Sequence, residues 1–219
     1  METIWTIAGD ETSWPEWASR MATSTASETM EQLASDLTPG SQHWALDIGC
    51  GTGRSFLPLN QNGYKVIGID PIHEAIIISQ SRAKNENLSA WPIWATADRL
   101  PIRNESIKAI FAIGTLYHLS PIELEKALTE IKRVLLVGGE AILHFLDLDD
   151  WRRKLGKQIR IDDIPMPSYQ AVVTCFCSEV VIRTTIHTSG ITVQNSVLKT
   201  QYDEEGERRD WFFHCVRQR

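Results

Sequence analysis

The chain has 219 residues, 42% of them hydrophobic, and a formal net charge of −6, enough for one well-buried domain and too little for two full ones. The acidic balance argues against broad binding to a nucleic-acid backbone, where affinity comes largely from Lys and Arg. No apolar run approaches the ~20 residues of a membrane span, and the start Met1-Glu2-Thr3-Ile4-Trp5 lacks the stretches of a secretory leader, so a cytoplasmic protein with thiol cysteines is expected.

The first 40 residues differ from the rest. Trp5, Trp14 and Trp17 sit among Ser, Thr, Glu and Ala, and Met30 to Leu37 fits an amphipathic helix. No glycine–strand unit precedes Trp44, so this segment is expected to be helical and to lie outside the sheet. From there strand and helix patterns alternate, which predicts a parallel sheet with helices on both faces. Strands are expected near 44–48, 64–69, 92–96, 108–113 and 139–146.

The run Ala45-Leu46-Asp47-Ile48-Gly49-Cys50-Gly51-Thr52-Gly53 ends an apolar strand in three glycines spaced two apart. Without a Cβ the backbone turns sharply and lies close to a ligand with its N–H groups free to donate. A second strand, Tyr64 to Ile69, ends in Asp70, placed where an acid holds the hydroxyls of a nucleoside ribose. A dinucleotide fingerprint starting at Gly49 needs Gly or Ala at position 54, where this chain has Arg54.

Ser120-Pro121-Ile122-Glu123 offers an N-cap, a first-turn proline and a capping-box glutamate, followed by Leu124, Ala127, Leu128, Ile131 and Leu135 at helical spacing. Ahead of it His118 follows the loop Gly114-Thr115-Leu116-Tyr117, and an imidazole exchanges protons near neutral pH. Residues 171–188 are rich in Val, Ile and Thr, which reads as strand. Cys175 and Cys177 lack a partnering Cys/His cluster at zinc spacing, and no metal site is expected.

The pattern Asp-x-Gly-x-Gly-x-Gly over 47–53 resembles the first motif of class I methyltransferases that use S-adenosylmethionine. Asp70 stands where that family's ribose-binding acid stands. Ala97-Asp98-Arg99-Leu100-Pro101-Ile102 resembles its third motif, Ile110 to Leu119 its fourth strand and active-site loop, and Arg133-Val134-Leu135-Leu136-Val137-Gly138-Gly139 the turn before its fifth strand. The four motifs run in order across roughly 40–146. They most resemble the type 11 branch, which includes ubiquinone and menaquinone methylases. Pro71, Val137 and the pair Ile107-Lys108 depart from its usual residues.

The resemblance implies a doubly wound, Rossmann-like α/β fold with a seven-stranded sheet, parallel except for one strand. It also implies an N-terminal lid over 1–40 and a methyltransferase domain over 41–219 with an insertion at 147–170. A helix is expected to begin near Ser178, and a strand near 191–200 to pair with an antiparallel one near 208–217 through a hairpin at Tyr202 to Gly206. S-adenosylmethionine is the implied cofactor, leaving as S-adenosylhomocysteine. The implied cofactor residues are Asp47, Gly49, Gly51, Gly53, Asp70, Ile72, Asp98, Arg99, Leu100 and Gly114. Among them Asp47 orients the glycine loop, Asp98 meets the adenine amino group, and Ile72 and Leu100 sandwich the ring.

The implied acceptor residues are Trp14, Trp17, Tyr117, His118 and Trp151. His118 is the one candidate general base, against a structural histidine bonded to the loop backbone. Arg152, Arg153, Lys154 and Lys157 read as a solvated basic face or an anion site. The activity implied is methyl transfer to an O, N or C nucleophile of a small molecule. An RNA methylase acting on tRNA wobble bases and a non-catalytic cofactor-binding subunit are the alternatives. A nucleic-acid partner is not expected, and the oligomeric state is left open.

Overall fold

The computed structural model describes residues 3–8 and 13–218; Met1 and Glu2, where the leader was sought, lie outside them. In chain order the regular elements are β1 (Thr3–Ile7), α1 (Trp14–Arg20), α2 (Glu28–Ser35), β2 (Trp44–Ile48), α3 (Phe56–Gln61), β3 (Lys65–Asp70), α4 (His73–Asn85), β4 (Ala90–Trp94) and β5 (Ile107–Ala112). The second half adds α5 (Pro121–Val134), β6 (Leu135–Asp147), β7 (Lys157–Ile159), β8 (Val173–Cys177), α6 (Glu179–Thr188), β9 (Thr192–Tyr202) and β10 (Glu207–Val216).

Strands β4, β3, β2, β5 and β6 lie side by side and parallel, with β10 antiparallel on β6 and β9 antiparallel on β10. The central strands are nearly continuous apolar runs, as burial on both faces requires: Ala45, Leu46, Ala109, Ile110 and Phe111 are fully buried. Helix α5 starts as its sequence dictates. Ser120 and Glu123 form the reciprocal capping box, and Ala127, Leu128, Ile131 and Val134 face the core.

Leu146 of β6 pairs with Asp210 of β10 on one side and with Phe176 of β8 on the other. β8 therefore runs along the edge that β5 vacates after its last pair, Ala112 with Leu143. β1 pairs antiparallel with β8, and β7 with β1. This three-stranded extension stands beyond the carboxyl end of β5, where the fold places ligands.

The sheet thus has ten strands, and the extra ones are β1, β7 and β8. The fold class stands, while one expectation changes. The N-terminal segment is not wholly helical or outside the sheet: Thr3-Ile4-Trp5-Thr6-Ile7 is β-branched and aromatic, and it zips onto β8 with Trp5 buried. Residues 171–188 satisfy both readings, with strand β8 to Cys177, Ser178 as N-cap and helix α6 beyond it. Among the described residues no helix is long and apolar enough to cross a membrane, and no cluster of His, Cys, Asp and Glu is arranged to hold a metal.

Candidate active site

At the carboxyl end of β2 the chain turns through Gly49 (φ 69°), Gly51 (φ 51°) and Gly53 (φ 77°), a backbone region that L side chains rarely enter. The turn is tied to β3 through Asp70. Its Oδ2 accepts the Gly51 N–H at 2.9 Å and its Oδ1 the Ile72 N–H at 2.8 Å. Burial pushes the Asp70 carboxyl up to about 6 in spite of those two bonds. Asp47 is buried too and accepts the Ser55 hydroxyl; desolvation lifts it to about 7.

Two cavities of about 350 and 250 Å³ lie over this turn and share Gly49, Pro71, Thr115, Leu119 and Tyr169, so together they form one cleft. Asp47, Gly49, Gly51, Asp70, Ile72 and Gly114 line the larger, together with Trp14, Trp17, Tyr117 and His118. Asp98 and Arg99 line the smaller. Helix α1 is seated above the turn by hydrogen bonds from Arg82 to the carbonyls of Ala22 and Ser24, and from Thr52 to that of Met21. The Trp17 ring lies where a Cβ on Gly51 would come within 3.2 Å of it.

Three of the sequence-based candidates lie elsewhere. Gly53 lines neither cavity; its missing Cβ makes room for Phe56, 2.7 Å from where that atom would stand. Leu100 is buried in the core, its N–H held by Glu130 at 2.8 Å, and it lines neither cavity. Trp151 lies against Gly206 in the β9–β10 hairpin with its indole N–H on Asp203 at 3.1 Å, because the hairpin captures the ring before the cleft is reached. Two members of the neighbouring basic run are engaged within the fold. Arg152 pairs with Asp150 at 2.6 Å and Asp210 at 2.7 Å, and Arg153 donates to the Leu148 carbonyl at 2.9 Å.

His118 is half-buried, and its Nδ1 stands 2.5 Å from the Val173 carbonyl. A carbonyl only accepts, so Nδ1 carries the proton and Nε2 the lone pair. Desolvation takes the imidazole down to about 4, which makes it a neutral hydrogen-bond acceptor at physiological pH and a weak base. Trp14 packs edge-on against it at 4.8 Å and Tyr117 lies 4.4 Å away.

The structure also brings in residues the sequence did not mark as site residues. Arg54 lines the larger cavity 5.8 Å from the Trp17 ring with no ion pair or hydrogen bond among the described residues. Burial lowers its affinity for the proton while the Asp47 charge raises it. His144 accepts the Gly114 N–H on Nδ1 at 3.1 Å and passes its Nε2 proton toward Asp210 at 3.0 Å, which fixes the active-site loop to β6 and β10. Its only sequence signal is a histidine that interrupts the apolar run from Ala141 to Leu146.

A family profile described as "Methyltransferase domain", type 11, matches residues 46–143, the stretch that carries the glycine turn, Asp70, Asp98 and the active-site loop. Residues 46–143 are thus similar to the type 11 methyltransferase domain. The chain is 29% identical over 155 residues to a "Probable tRNA methyltransferase 9B" of Mus musculus, a match covering 68% of this chain and 31% of that protein. The chain thus spans about a third of that curated relative. Its fold resembles a SAM-dependent methyltransferase of Methanosarcina mazei (TM-score 0.69, 18% identity, 89% of this chain and 99% of that one). It also resembles a chain in the complex between the Haloferax volcanii Trm112 methyltransferase activator and the putative methyltransferase (TM-score 0.71, 14% identity, 96% of this chain and 100% of that one).

Proposed function

We propose that this chain moves a methyl group from S-adenosylmethionine to an oxygen, nitrogen or carbon nucleophile of a small molecule, leaving S-adenosylhomocysteine. The observation that carries the reading is Asp70. A buried carboxylate stands at the end of β3 and lines the larger cavity, with each oxygen using one lone pair on a backbone N–H. A carboxylate has about four acceptor positions, so both oxygens keep capacity for a pair of ribose hydroxyls. The residues fit the cofactor in other respects. A side chain on Gly51 would strike the Trp17 ring that closes the cleft, and a carboxylate and an unpaired guanidinium, Asp47 and Arg54, line the same cavity for the ammonium and carboxylate of an amino-acid end.

When bound, the cofactor supplies an electrophilic methyl carbon on a sulfonium. The chain holds and orients: Asp98 in the smaller cavity for the adenine amino group, Ile72 against the ring, the Gly114 loop against the reacting end. Trp14 and Trp17 exclude water from above. The four buried free thiols support a cytoplasmic setting. Calorimetry with S-adenosylhomocysteine tests the core of the reading. Asp70→Ala should lower affinity at least tenfold, given roughly 1.5–3 kcal/mol for a hydrogen bond to a charged acceptor; unchanged affinity in a folded variant refutes the ribose assignment.

Two other readings draw on the relatives. The tRNA methyltransferase likeness favours an RNA acceptor, but Arg152 and Arg153 of the basic run are engaged internally, and salt-titrated tRNA binding separates the two. The likeness to a chain found with the Trm112 activator raises dependence on a partner subunit. Turnover by the purified chain alone decides that point.

A further inference from the structure

Ser168 is 1% exposed, it lines the larger cavity, and its hydroxyl has no hydrogen-bond partner among the described residues. An orphaned buried hydroxyl costs the fold desolvation that nothing returns. Two other buried side-chain atoms share that state, Arg208 Nε and Arg209 Nε; the second stands 2.9 Å from Asp147, and neither residue lines the cleft.

The main chain around Ser168 is fully engaged. Its N–H donates to Glu123 Oε1 at 2.9 Å, while Glu123 Oε2 is taken by Ser120, and its carbonyl accepts from Ala171 at 3.2 Å. Only the side chain is left over. The same strap from Ser168 to Val173 also supplies the Ala171 carbonyl to the Trp14 indole at 3.0 Å and the Val173 carbonyl to His118. One segment therefore fixes a free hydroxyl, a tryptophan and an imidazole on one wall. His118 Nε2, like Ser168 Oγ, has no partner among the described residues.

We infer that Ser168 Oγ and His118 Nε2 form a two-point polar clamp for the methyl acceptor, which is a small planar molecule bearing an O–H or N–H nucleophile and a second polar group. The inference rests on the methyl-transfer reading and narrows it. An unprotonated Nε2 only accepts, so the group it meets must bring a proton. The hydroxyl, able to donate or accept, takes the second group. The rings of Trp14, Tyr117 and Tyr169 line the same cavity and suit a flat frame. A site built around hydrogen bonds rejects an analogue that lacks one group far more strongly than an apolar pocket does.

The test uses the full chain loaded with S-adenosylhomocysteine and four probes: phenol and the 1,2-, 1,3- and 1,4-dihydroxybenzenes. By NMR titration at least one dihydroxy isomer should bind about tenfold more tightly than phenol. Ser168→Ala should erase that advantage while leaving phenol unchanged, and the His118 Nε2 resonance should move on binding. In the free protein Ser168→Ala should leave the melting temperature unchanged or raise it, because an orphan is removed. No isomer exceeding phenol, an advantage that survives Ser168→Ala, or a variant that melts several degrees lower each overturns the clamp. Calorimetry separates the two levels. Failure of the unaltered chain to bind S-adenosylhomocysteine removes the methyl-transfer reading and the clamp with it, whereas equal binding by chain and variant leaves the clamp alone at stake.

Discussion

Binding of the cofactor product should depend on pH through Asp47. Burial lifts this carboxyl to about 7, so the free protein holds it half protonated at neutrality, and pairing with the ligand's ammonium requires the ionised form. The ionised fraction is about three-quarters at pH 7.5 and about one-tenth at pH 6, so affinity should fall about eightfold over that interval, or ~1.2 kcal/mol at ~1.4 kcal/mol per tenfold. Asp70, lifted to about 6, adds roughly a further factor of two at the acid end, while His118, down at about 4, stays neutral throughout. Calorimetry at pH 6 in two buffers of different ionisation enthalpy should show about 1.4 protons released per ligand bound, about 0.9 from Asp47 and about 0.5 from Asp70. 5′-Methylthioadenosine, which lacks the amino-acid end, should show only the Asp70 step, and Asp47→Asn should flatten the profile around pH 7. The stability of the free protein follows the same carboxyl with a defined sign. Its folded pKa lies above its unfolded value of about 4, so the native state holds the extra proton and this stabilisation is lost as pH rises through 7. Asp47→Asn should therefore raise the melting temperature more at pH 8 than at pH 5. Affinity that is level from pH 7.5 to 6, or an equal step for methylthioadenosine, refutes the assignment of Asp47 to the ammonium.

Gly51→Val places a branched side chain at φ 51° and within 3.2 Å of the Trp17 ring, so S-adenosylhomocysteine binding should be lost while circular dichroism stays native; tight binding by this variant would separate the turn from the cofactor. Trp5→Ala removes a buried ring from β1 and should cost about 3 kcal/mol, lowering the melting temperature by roughly 6–12 °C for a domain of this size. Because Trp5 lines neither cavity, cofactor-product affinity should stay within about twofold, and an unchanged melting temperature would show that β1 adds nothing to the sheet.

What could be read from the sequence follows the range of the interactions. Strands β2, β3 and β5 were legible because a doubly covered parallel strand must be apolar throughout, and the glycine turn because positive φ at Gly49, Gly51 and Gly53 leaves few other residues possible. The start of α5 was legible because its cap is built from four consecutive residues. The pairing of Thr3 with Cys177 left no such trace. Propensity marks both segments as strand-like, but nothing local says that they meet, so the N-terminal segment read as a detached lid. Trp151 failed for the same reason in reverse: its aromatic and basic neighbours fit an acceptor site, and the hairpin that holds it lies some 50 residues further on.

Arg54 and Ser168, which the sequence did not mark as site residues, and the Nε2 of His118, which it did, share a different property. Each is distinguished by the partner it lacks among the described residues, and the lack of a partner is a fact of tertiary structure alone. Elsewhere, apart from Arg208 Nε and Arg209 Nε, the buried side-chain polar atoms have partners among the described residues. Asp150 is held by Arg152 and the Arg209 N–H, Asp210 by Arg152 and His144, and Glu123 by Ser120 and Ser168. Against that background, two carboxyls raised by burial, an unpaired guanidinium and an orphaned hydroxyl all line one cavity. A fold gains stability by closing such groups, so a cluster left open at the carboxyl edge of the sheet is stability held back for a ligand. The consequence is measurable as a trade: Asp47→Asn and substitutions that remove the Arg54 guanidinium or the Ser168 hydroxyl should stabilise or spare the free protein and weaken binding, whereas substitutions in the closed network of Asp150, Arg152 and Asp210 should do the opposite, lowering the melting temperature first and affecting binding only through the Gly114 loop.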